Sequence, residues 1–217
     1  FCPTIKKMNK LNIMRKTNLI QKSSVLFMAT VLSLFFISCS SSDDDDDDEY
    51  GNWVESSTFD GNSRANSVSF TIGTKGYLVT GYDGDDYLAD TWEYNSDGDY
   101  WVEKAPFPGV ARSGAVGFSI NGKGYLGTGY DGSTKLNDFW EYDPTTDSWT
   151  QKADFGGTGR YNAIGFSIGN DGYIGTGYDG SEQKDFWKYD VASDTWEQSV
   201  GFGGQKRQSA SVFIIDN

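Results

Sequence analysis

Two residue types with the chemistry to hold a ligand recur at regular intervals along this sequence. A guanidinium is planar and pairs with a carboxylate through two parallel hydrogen bonds. A tyrosine ring offers flat contact area of the kind that sugars and peptides need. The candidate ligand-binding residues, three of each type with successive members 48 residues apart, are Arg64, Arg112, Arg160, Tyr82, Tyr130 and Tyr178.

The residues needed for several catalytic chemistries are missing or isolated. The sequence has no histidine and two cysteines, Cys2 and Cys39, so it offers no Cys/His cluster for zinc or thiol chemistry. Carboxylates are abundant, but no spacing singles out an acid/base pair. The sequence therefore predicts no enzyme, no cofactor and no metal site.

An internal repeat surrounds these candidate residues. Each repeat has two tryptophans nine residues apart, as in Trp92 and Trp101 or Trp140 and Trp149. In the middle repeat, four short segments separated by turn residues read as strands. They are "AVGFSI" (Ala115–Ile120), "YLGTGY" (Tyr125–Tyr130), "FWEYD" (Phe139–Asp143) and "WTQKA" from Trp149.

A single four-stranded sheet of this length cannot bury both of its faces. Sheets arranged radially bury their faces against each other, with the repeated aromatic residues filling the space between them. No window after the first forty residues has a helical apolar period. The glycines of "GTGY" would let strands approach near the centre, and Gly122 and Gly124 suit positive backbone angles. The sequence predicts an all-β propeller.

The repeats resemble kelch repeats. The matching stretches are "YLVTGYDG", "YLGTGYDG" and "YIGTGYDG", followed by "WEYN", "WEYDP" and "WKYD". The resemblance implies a kelch-type β-propeller of four-stranded blades. Thr80, Thr128 and Thr176 stand where the family has the first glycine of a pair. Copper oxidases built on this fold use histidine ligands, which this chain lacks.

The repeats cover residues 52–217, with units at about 64–110, 111–158 and 159–205 and a partial unit at 206–217. This predicts three full blades, with a single strand at each end: "WVESST" from Trp53 and "SASVFII" up to Ile215. Propellers close with about 4 to 8 blades. We therefore expect a partial ring that is incomplete at its C-terminal side.

The first fifty residues resemble the export signal of a bacterial lipoprotein. Residues 1–38 contain a basic region and the apolar run Val25–Ile37, which has the length of a secretory signal and predicts a helical signal peptide. Cys39 follows a small residue, as in a lipobox. The resemblance implies cleavage before Cys39 and its lipidation, which anchors a protein without a membrane span.

Residues 39–51 form a linker with the acidic run Asp43–Glu49, which predicts a disordered spacer. Serines and acids after a lipidated cysteine also resemble a surface-export signal of Gram-negative lipoproteins. Removing residues 1–38 leaves 12 Lys and Arg residues against 31 Asp and Glu residues, a net charge of −19. Such a surface argues against nucleic acid and anionic lipid headgroups as partners.

The repeated arginines and tyrosines have two interpretations. In kelch propellers, the loops that join strand four to strand one and strand two to three gather on one face. Some kelch adaptors use arginines and tyrosines at these positions to grip acidic peptides. In the other interpretation the fold itself needs them. Tyrosines would then pack between blades, and arginines would cap the carbonyls of a neighbouring blade or pair with Asp83, Asp131 and Asp179.

Two further sets of acids precede the tryptophans by two residues. We predict that they are turn residues that bind local amides. They are Asp90, Asp138, Asp185, Asp99, Asp147 and Asp194.

These features predict a non-catalytic binding module for a protein or glycan, lipid-anchored to the outer membrane of a Gram-negative bacterium and exposed at the cell surface. Two alternatives stay open. One is a carbohydrate-active enzyme whose catalytic residues lie in further blades. The other is a structural module of an envelope assembly.

Overall fold

A computed structural model describes residues 54–215 of the chain. The predicted signal peptide, Cys39 and the acidic linker lie outside the described residues. Twelve strands and no helix are present between residues 54 and 215. Residues 54–215 therefore contain no candidate for a membrane-spanning helix.

The strands form three antiparallel sheets of four, each in chain order, which we call blades 1, 2 and 3. Blade 1 contains β1 (Val68–Ile72), β2 (Lys75–Tyr82), β3 (Tyr87–Asn95) and β4 (Tyr100–Lys104). Blade 2 contains β5 (Val116–Ile120), β6 (Lys123–Gly127), β7 (Phe139–Asp143) and β8 (Ser148–Lys152). Blade 3 contains β9 (Ile164–Ile168), β10 (Asp171–Gly175), β11 (Phe186–Asp190) and β12 (Thr195–Ser199).

The predicted all-β blades are confirmed, and the first strand of each blade lies beside the first strand of the next. β1 contacts β5, and β5 contacts β9, as in the inner strands of a propeller. The second strand of blade 2 ends earlier than predicted, at Gly127, and Thr128 and Gly129 after it have positive φ angles of 61° and 107°. In blade 1, Thr80 and Gly81 have similar angles, but there they form an irregularity within β2, which continues to Tyr82. The three described blades are consistent with a kelch-type partial propeller.

Both ends of the described chain differ in detail from the prediction. Residues 54–58 and 209–215, which belong to the two expected single strands, form no strand. A strand needs a neighbour for its hydrogen bonds, and within residues 54–215 neither segment pairs with one. The first segment still follows the repeat, because Phe59 packs edge-on against Trp92 and Trp101, as Phe107 does against Trp140 and Trp149.

The core lies between the blades and is largely aromatic. Phe70 and Tyr77 of blade 1 pack with Tyr142 of blade 2, and Tyr125 and Phe139 of blade 2 surround Tyr189 of blade 3. Each of these rings removes about 150–250 Å² from water, which at roughly 25 cal/mol per Å² is the main stabilising term.

Glycines on the face of blade 2 that contacts blade 1 allow the side chains of blade 1 to pack closely. A Cβ atom at Gly124 would collide with the Phe70 ring, and one at Gly117 would collide with Val68. Gly122 has a positive φ of 75°, as predicted, but Gly124 does not. Gly124 is needed for close packing, and so are the glycines of "GTGY", since a Cβ atom at Gly127 would lie 2.6 Å from the Phe139 ring and one at Gly129 would lie 3.0 Å from Ala115.

Candidate ligand-binding face

The repeated arginines are buried, and their hydrogen-bonding groups are occupied within the protein. The side chains of Arg64, Arg112 and Arg160 are 3%, 0% and 1% exposed. Arg112 makes two parallel bonds to Asp138, of 2.5 and 2.7 Å, and donates to the carbonyls of Thr128 and Val110 at 2.9 and 2.8 Å. The guanidinium also lies 4.9 Å from the ring centroid of Phe107, within cation–π range.

The carboxylates that pair with the arginines are not the predicted ones. Asp83, Asp131 and Asp179 were expected as partners, and Asp90, Asp138 and Asp185 as local turn residues. In the structure the second set pairs with Arg64, Arg112 and Arg160, and each member also accepts a bond from the tryptophan two residues later. The first set holds its own loops, since Asp131 Oδ1 accepts from the amides of Ser133 and Thr134. The prediction exchanged the two roles.

The pKa of Asp138 reflects this pairing. Burial alone would raise the pKa of the carboxyl group, but the hydrogen bonds and charge of Arg112 and the bond from Trp140 outweigh burial and lower it. The ion pair therefore stays charged across the neutral range. Since the charge of Arg112 is already matched, the pair adds little positive potential to the surface.

Asp99, Asp147 and Asp194 precede the second tryptophan of each blade by two residues. They accept hydrogen bonds from residues of the preceding segment, about 40 positions earlier in the chain, and not only from local groups. Asp147 accepts from the amide of Ala105, 42 residues earlier, and from the hydroxyl of Tyr142 in its own blade. Asp99 accepts from Ser57 in the same way, and Asp194 from Ala153. The prediction that these acids bind local amides was therefore wrong. They fix each blade to the segment before it.

The three candidate tyrosines lie on one face, at the loops between the second and third strands. The hydroxyls of Tyr82 and Tyr130 donate to the carbonyls of Gly84 and Gly132 in the same loops, at 2.6 and 2.7 Å. These bonds fix the orientation of the rings. Each of the three side chains is partly exposed, so the rings remain available for contact.

Two further tyrosines join the candidates into one continuous array, which we call the tyrosine row. Successive ring centroids are 5.0, 6.3, 5.3 and 5.5 Å apart, within the range of favourable aromatic pairs. The row crosses all three blades in the order Tyr82, Tyr87, Tyr130, Tyr161 and Tyr178.

The two added tyrosines do not repeat. The bridges to Tyr82, Tyr130 and Tyr178 place Tyr87 in register with Lys135 and Glu182. They place Tyr161 in register with Ala65 and Ser113. Sequence reasoning missed both because it searched for positions that recur in every repeat. A signal was present: each is a tyrosine at a position where the other units differ.

Asp131, which follows Tyr130 of the row, has one carboxylate oxygen, Oδ2, that accepts no hydrogen bond from residues 54–215. In blade 1, Asp83 Oδ2 accepts from Asn62, and in blade 3, Asp179 Oδ2 accepts from Thr158. Val110 occupies the corresponding position beside blade 2 and cannot donate. Throughout residues 54–215, Asp131 Oδ2 accepts no hydrogen bond, while Oδ1 accepts three.

The departure from the kelch glycine pair has a structural cost. Thr80, Thr128 and Thr176 have φ angles of 60°, 61° and 61°, in the left-handed region that favours glycine. All three are buried, and their hydroxyls have no hydrogen-bond partner among the described residues. The left-handed angle explains why the family has glycine there.

Two other features bear on ligand binding. A cavity of about 360 Å³ lies beside Arg160 and is lined by Thr158, Asp179, Gln183 and Trp187. Among residues 54–215, no group of three or more His, Cys, Asp or Glu side chains is arranged to hold a metal ion. The structure thus brings the three tyrosines together at the surface and places the three arginines beneath it. Whether the arginines contact a ligand stays a prediction.

Comparisons with known proteins agree with this architecture. The kelch motif model matches residues 111–156, which include all of blade 2. The solved structure of YjhT is similar, with a TM-score of 0.62 and 18% sequence identity, covering 71% of this chain and 57% of that one. At this identity the similarity concerns the fold alone, and the chain matches little more than half of YjhT. No curated protein matches the chain. The motif match places a kelch repeat at residues 111–156, and the similarity to YjhT agrees with a kelch-type propeller fold.

Proposed function

We propose that this protein is a non-catalytic binding module that holds a protein or glycan ligand on the tyrosine row. The kelch propeller fold supports a binding role, since it presents loops of successive blades on one face. The observation that carries the proposal is the continuous contact of five partly exposed tyrosines, two of which do not repeat. A fold requirement accounts for a residue that recurs in every blade, but it does not account for Tyr87 and Tyr161.

The row has the physical properties of a recognition surface. Tyrosine buries a large area at a small cost in side-chain entropy, and it combines an apolar face with a polar end. The bonds from Tyr82 and Tyr130 to their own loops hold the rings in place before binding. Such preorganisation reduces the entropy that a ligand must offset. The buried arginines support this face from below through their pairs with Asp90, Asp138 and Asp185.

A glycan array and a peptide array, both probed with the full-length protein, test this function. We expect Tyr161→Ser to weaken binding about tenfold, since aromatic contacts contribute roughly 0.5–1.5 kcal/mol. The matched control is Tyr100→Ser, because Tyr100 is 47% exposed and belongs to β4, outside the row. Equal effects of the two substitutions would remove the tyrosine row as the binding site. Turnover of a bound glycan would contradict the non-catalytic role.

We also propose that the protein is exported, lipid-anchored through Cys39 to the outer membrane of a Gram-negative bacterium and exposed at the cell surface. The basic and apolar leader and the serine- and aspartate-rich linker support this proposal. Cells grown with labelled palmitate should label the protein, and Cys39→Ser should abolish the label. Protease added to intact cells should degrade the wild-type protein. Survival of the protein would place it on the inner side of the membrane.

A further inference from the structure

We propose that the ligand of the tyrosine row is a polypeptide segment rich in lysine and arginine, with one cationic side chain held by Asp131. This inference rests on the proposed binding function and specifies its ligand. It differs from the acidic peptides that the repeated arginines suggested from sequence. The reason is that the structure neutralises the arginines below the surface and leaves carboxylates at the surface.

The charge of the loops around the row is negative. Arg64, Arg112 and Arg160 are each matched by a bidentate carboxylate and contribute no free cation. The strand two to three loops otherwise have two lysines, Lys135 and Lys184. The six acids that lie outside these arginine pairs are Asp83, Asp85, Asp86, Asp131, Asp179 and Glu182. This excess repels anionic ligands and attracts cationic ones.

Among the three equivalent loop acids Asp83, Asp131 and Asp179, Asp131 is the one with a carboxylate oxygen left to bind a cation. Within the described part of the chain its Oδ2 accepts no hydrogen bond, because Val110 stands at the position from which Asn62 and Thr158 donate to the equivalent oxygens. Hydrogen bonds from the amides of Thr134 and Ser133 lower the pKa of Asp131, so the carboxylate is ionised at neutral pH. A partly solvated carboxylate with one unused oxygen can accept an ammonium or guanidinium group.

The rings beside Asp131 suit the same ligand. Asp131 directly follows Tyr130, and a Cβ atom added at Gly132 would lie 2.8 Å from the Tyr87 ring, so the loop that contains Asp131 lies against this part of the row. Tyr87 and Tyr130 contact each other edge to face, with centroids 6.3 Å apart. A lysine or arginine side chain can lie over such rings while its charge reaches Asp131, which combines cation–π attraction with an ion pair.

The experiment measures binding of the full-length protein to three probes by titration calorimetry. The probes are a ten-residue peptide of alternating Lys and Ser, its Glu–Ser counterpart, and cellohexaose. We expect the Lys–Ser peptide to bind, and the Glu–Ser peptide and cellohexaose not to bind. We expect Asp131→Asn to weaken binding of the Lys–Ser peptide about fivefold, because the charge is lost while the loop bonds to Oδ1 are kept.

One variant tests whether the cation of the peptide binds to Asp131 Oδ2, and a second controls for the loss of a negative charge. Val110→Thr supplies the donor that Thr158 provides in blade 3, so it should occupy Asp131 Oδ2 and weaken the peptide about threefold. Asp97→Asn removes the same charge from the exposed β3–β4 turn, outside the row, and should change the affinity less than twofold.

The outcomes separate this inference from the proposed function. Equal losses for Asp97→Asn and Asp131→Asn would show unspecific attraction to an acidic protein and overturn the inference. Failure of the Lys–Ser peptide to bind, or equal binding of the Glu–Ser peptide, would also overturn it. If cellohexaose binds and Tyr161→Ser weakens it, the ligand class is wrong but the row remains a binding site. If Tyr161→Ser changes no binding on the arrays, the proposed function fails as well.

Discussion

The arginine–aspartate pairs and the tyrosine row serve the same three blades, but they differ in how they repeat. Each pair has the same geometry in every blade, with bonds of 2.5–2.9 Å and a buried guanidinium over a phenylalanine ring. The row combines three repeated tyrosines with two residues that occur once, Tyr87 and Tyr161. Strict repetition therefore marks residues that the fold needs, and departures from repetition coincide with the surface that we propose binds a ligand.

Substitutions in the arginine–aspartate pairs should lower the free energy of unfolding more than substitutions in the tyrosine row. Asp138→Ala leaves the charge of Arg112 buried and unpaired, which should lower the free energy of unfolding by about 3–5 kcal/mol. Denaturant unfolding of the purified protein measures this loss. The control Asp85→Ala removes an exposed carboxylate for which no bond is found between residues 54 and 215, and should stay within about 0.5 kcal/mol. A loss below about 1 kcal/mol for Asp138→Ala would make the pairs dispensable.

The glycine contacts between blades should come next. Gly124→Ala would push a Cβ atom into the ring of Phe70, and such overpacking costs about 1–3 kcal/mol. Gly76 is its counterpart in blade 1, where the nearest atom to an added Cβ is 3.8 Å away in Tyr94. We expect Gly76→Ala to be tolerated. Equal losses for the two variants in the same unfolding experiment would show that the cost arises within a blade and not between blades.

Residues of the row should contribute less to stability than to binding. Tyr161→Ser introduces the residue that blade 2 has at Ser113, so the backbone is compatible with it. We expect a loss of at most about 1 kcal/mol, from the ring contacts with Tyr130 and Tyr178. A loss as large as that of Asp138→Ala would assign Tyr161 to the framework and would weaken the comparison.

The smallest expected effect is a change in how the free energy of unfolding depends on pH under acid conditions. Hydrogen bonds from the Ser56 hydroxyl, the Ser57 amide and the Tyr94 hydroxyl lower the pKa of Asp99 from 3.8 to about 2. Because the folded pKa is lower than the unfolded one, the stabilising effect is fully present above pH 3.8 and disappears as the pH falls towards 2. Asp99→Asn should make unfolding stability less dependent on pH within this window. An unchanged slope would contradict the assignment.

Much of the fold could be predicted from the sequence because its signals are local and repeated. The turn residues and the spacing of Trp140 and Trp149 located the strands of blade 2 to within a few residues. The partner of Arg112 was missed because Asp138 lies 26 residues away, and only the spatial pairing distinguishes it from Asp131. The separation of arginine and partner aspartate is 26, 26 and 25 residues in the three units, so spacing along the chain did not favour this set.

The site was less predictable because it depends on side chains that meet only across the blades. Nothing in the local sequence shows that Tyr87 contacts Tyr130, or that Tyr161 contacts both Tyr130 and Tyr178. The free oxygen of Asp131 follows from Val110, which lies in a different loop. Contacts of this kind require the register between blades, which a repeat pattern suggests but does not define residue by residue.

The loop between the second and third strands is one residue shorter in blade 3 than in blade 2. Arg160 and Asp185 are 25 residues apart, whereas Arg112 and Asp138 are 26 apart, and yet both pairs close at nearly the same distances. The loop can therefore lose one residue while the arginine–aspartate pair keeps its geometry. Insertions, deletions and exchanges of side chains can therefore accumulate in these loops, one blade at a time, while the arginine–aspartate pairs keep the blades intact.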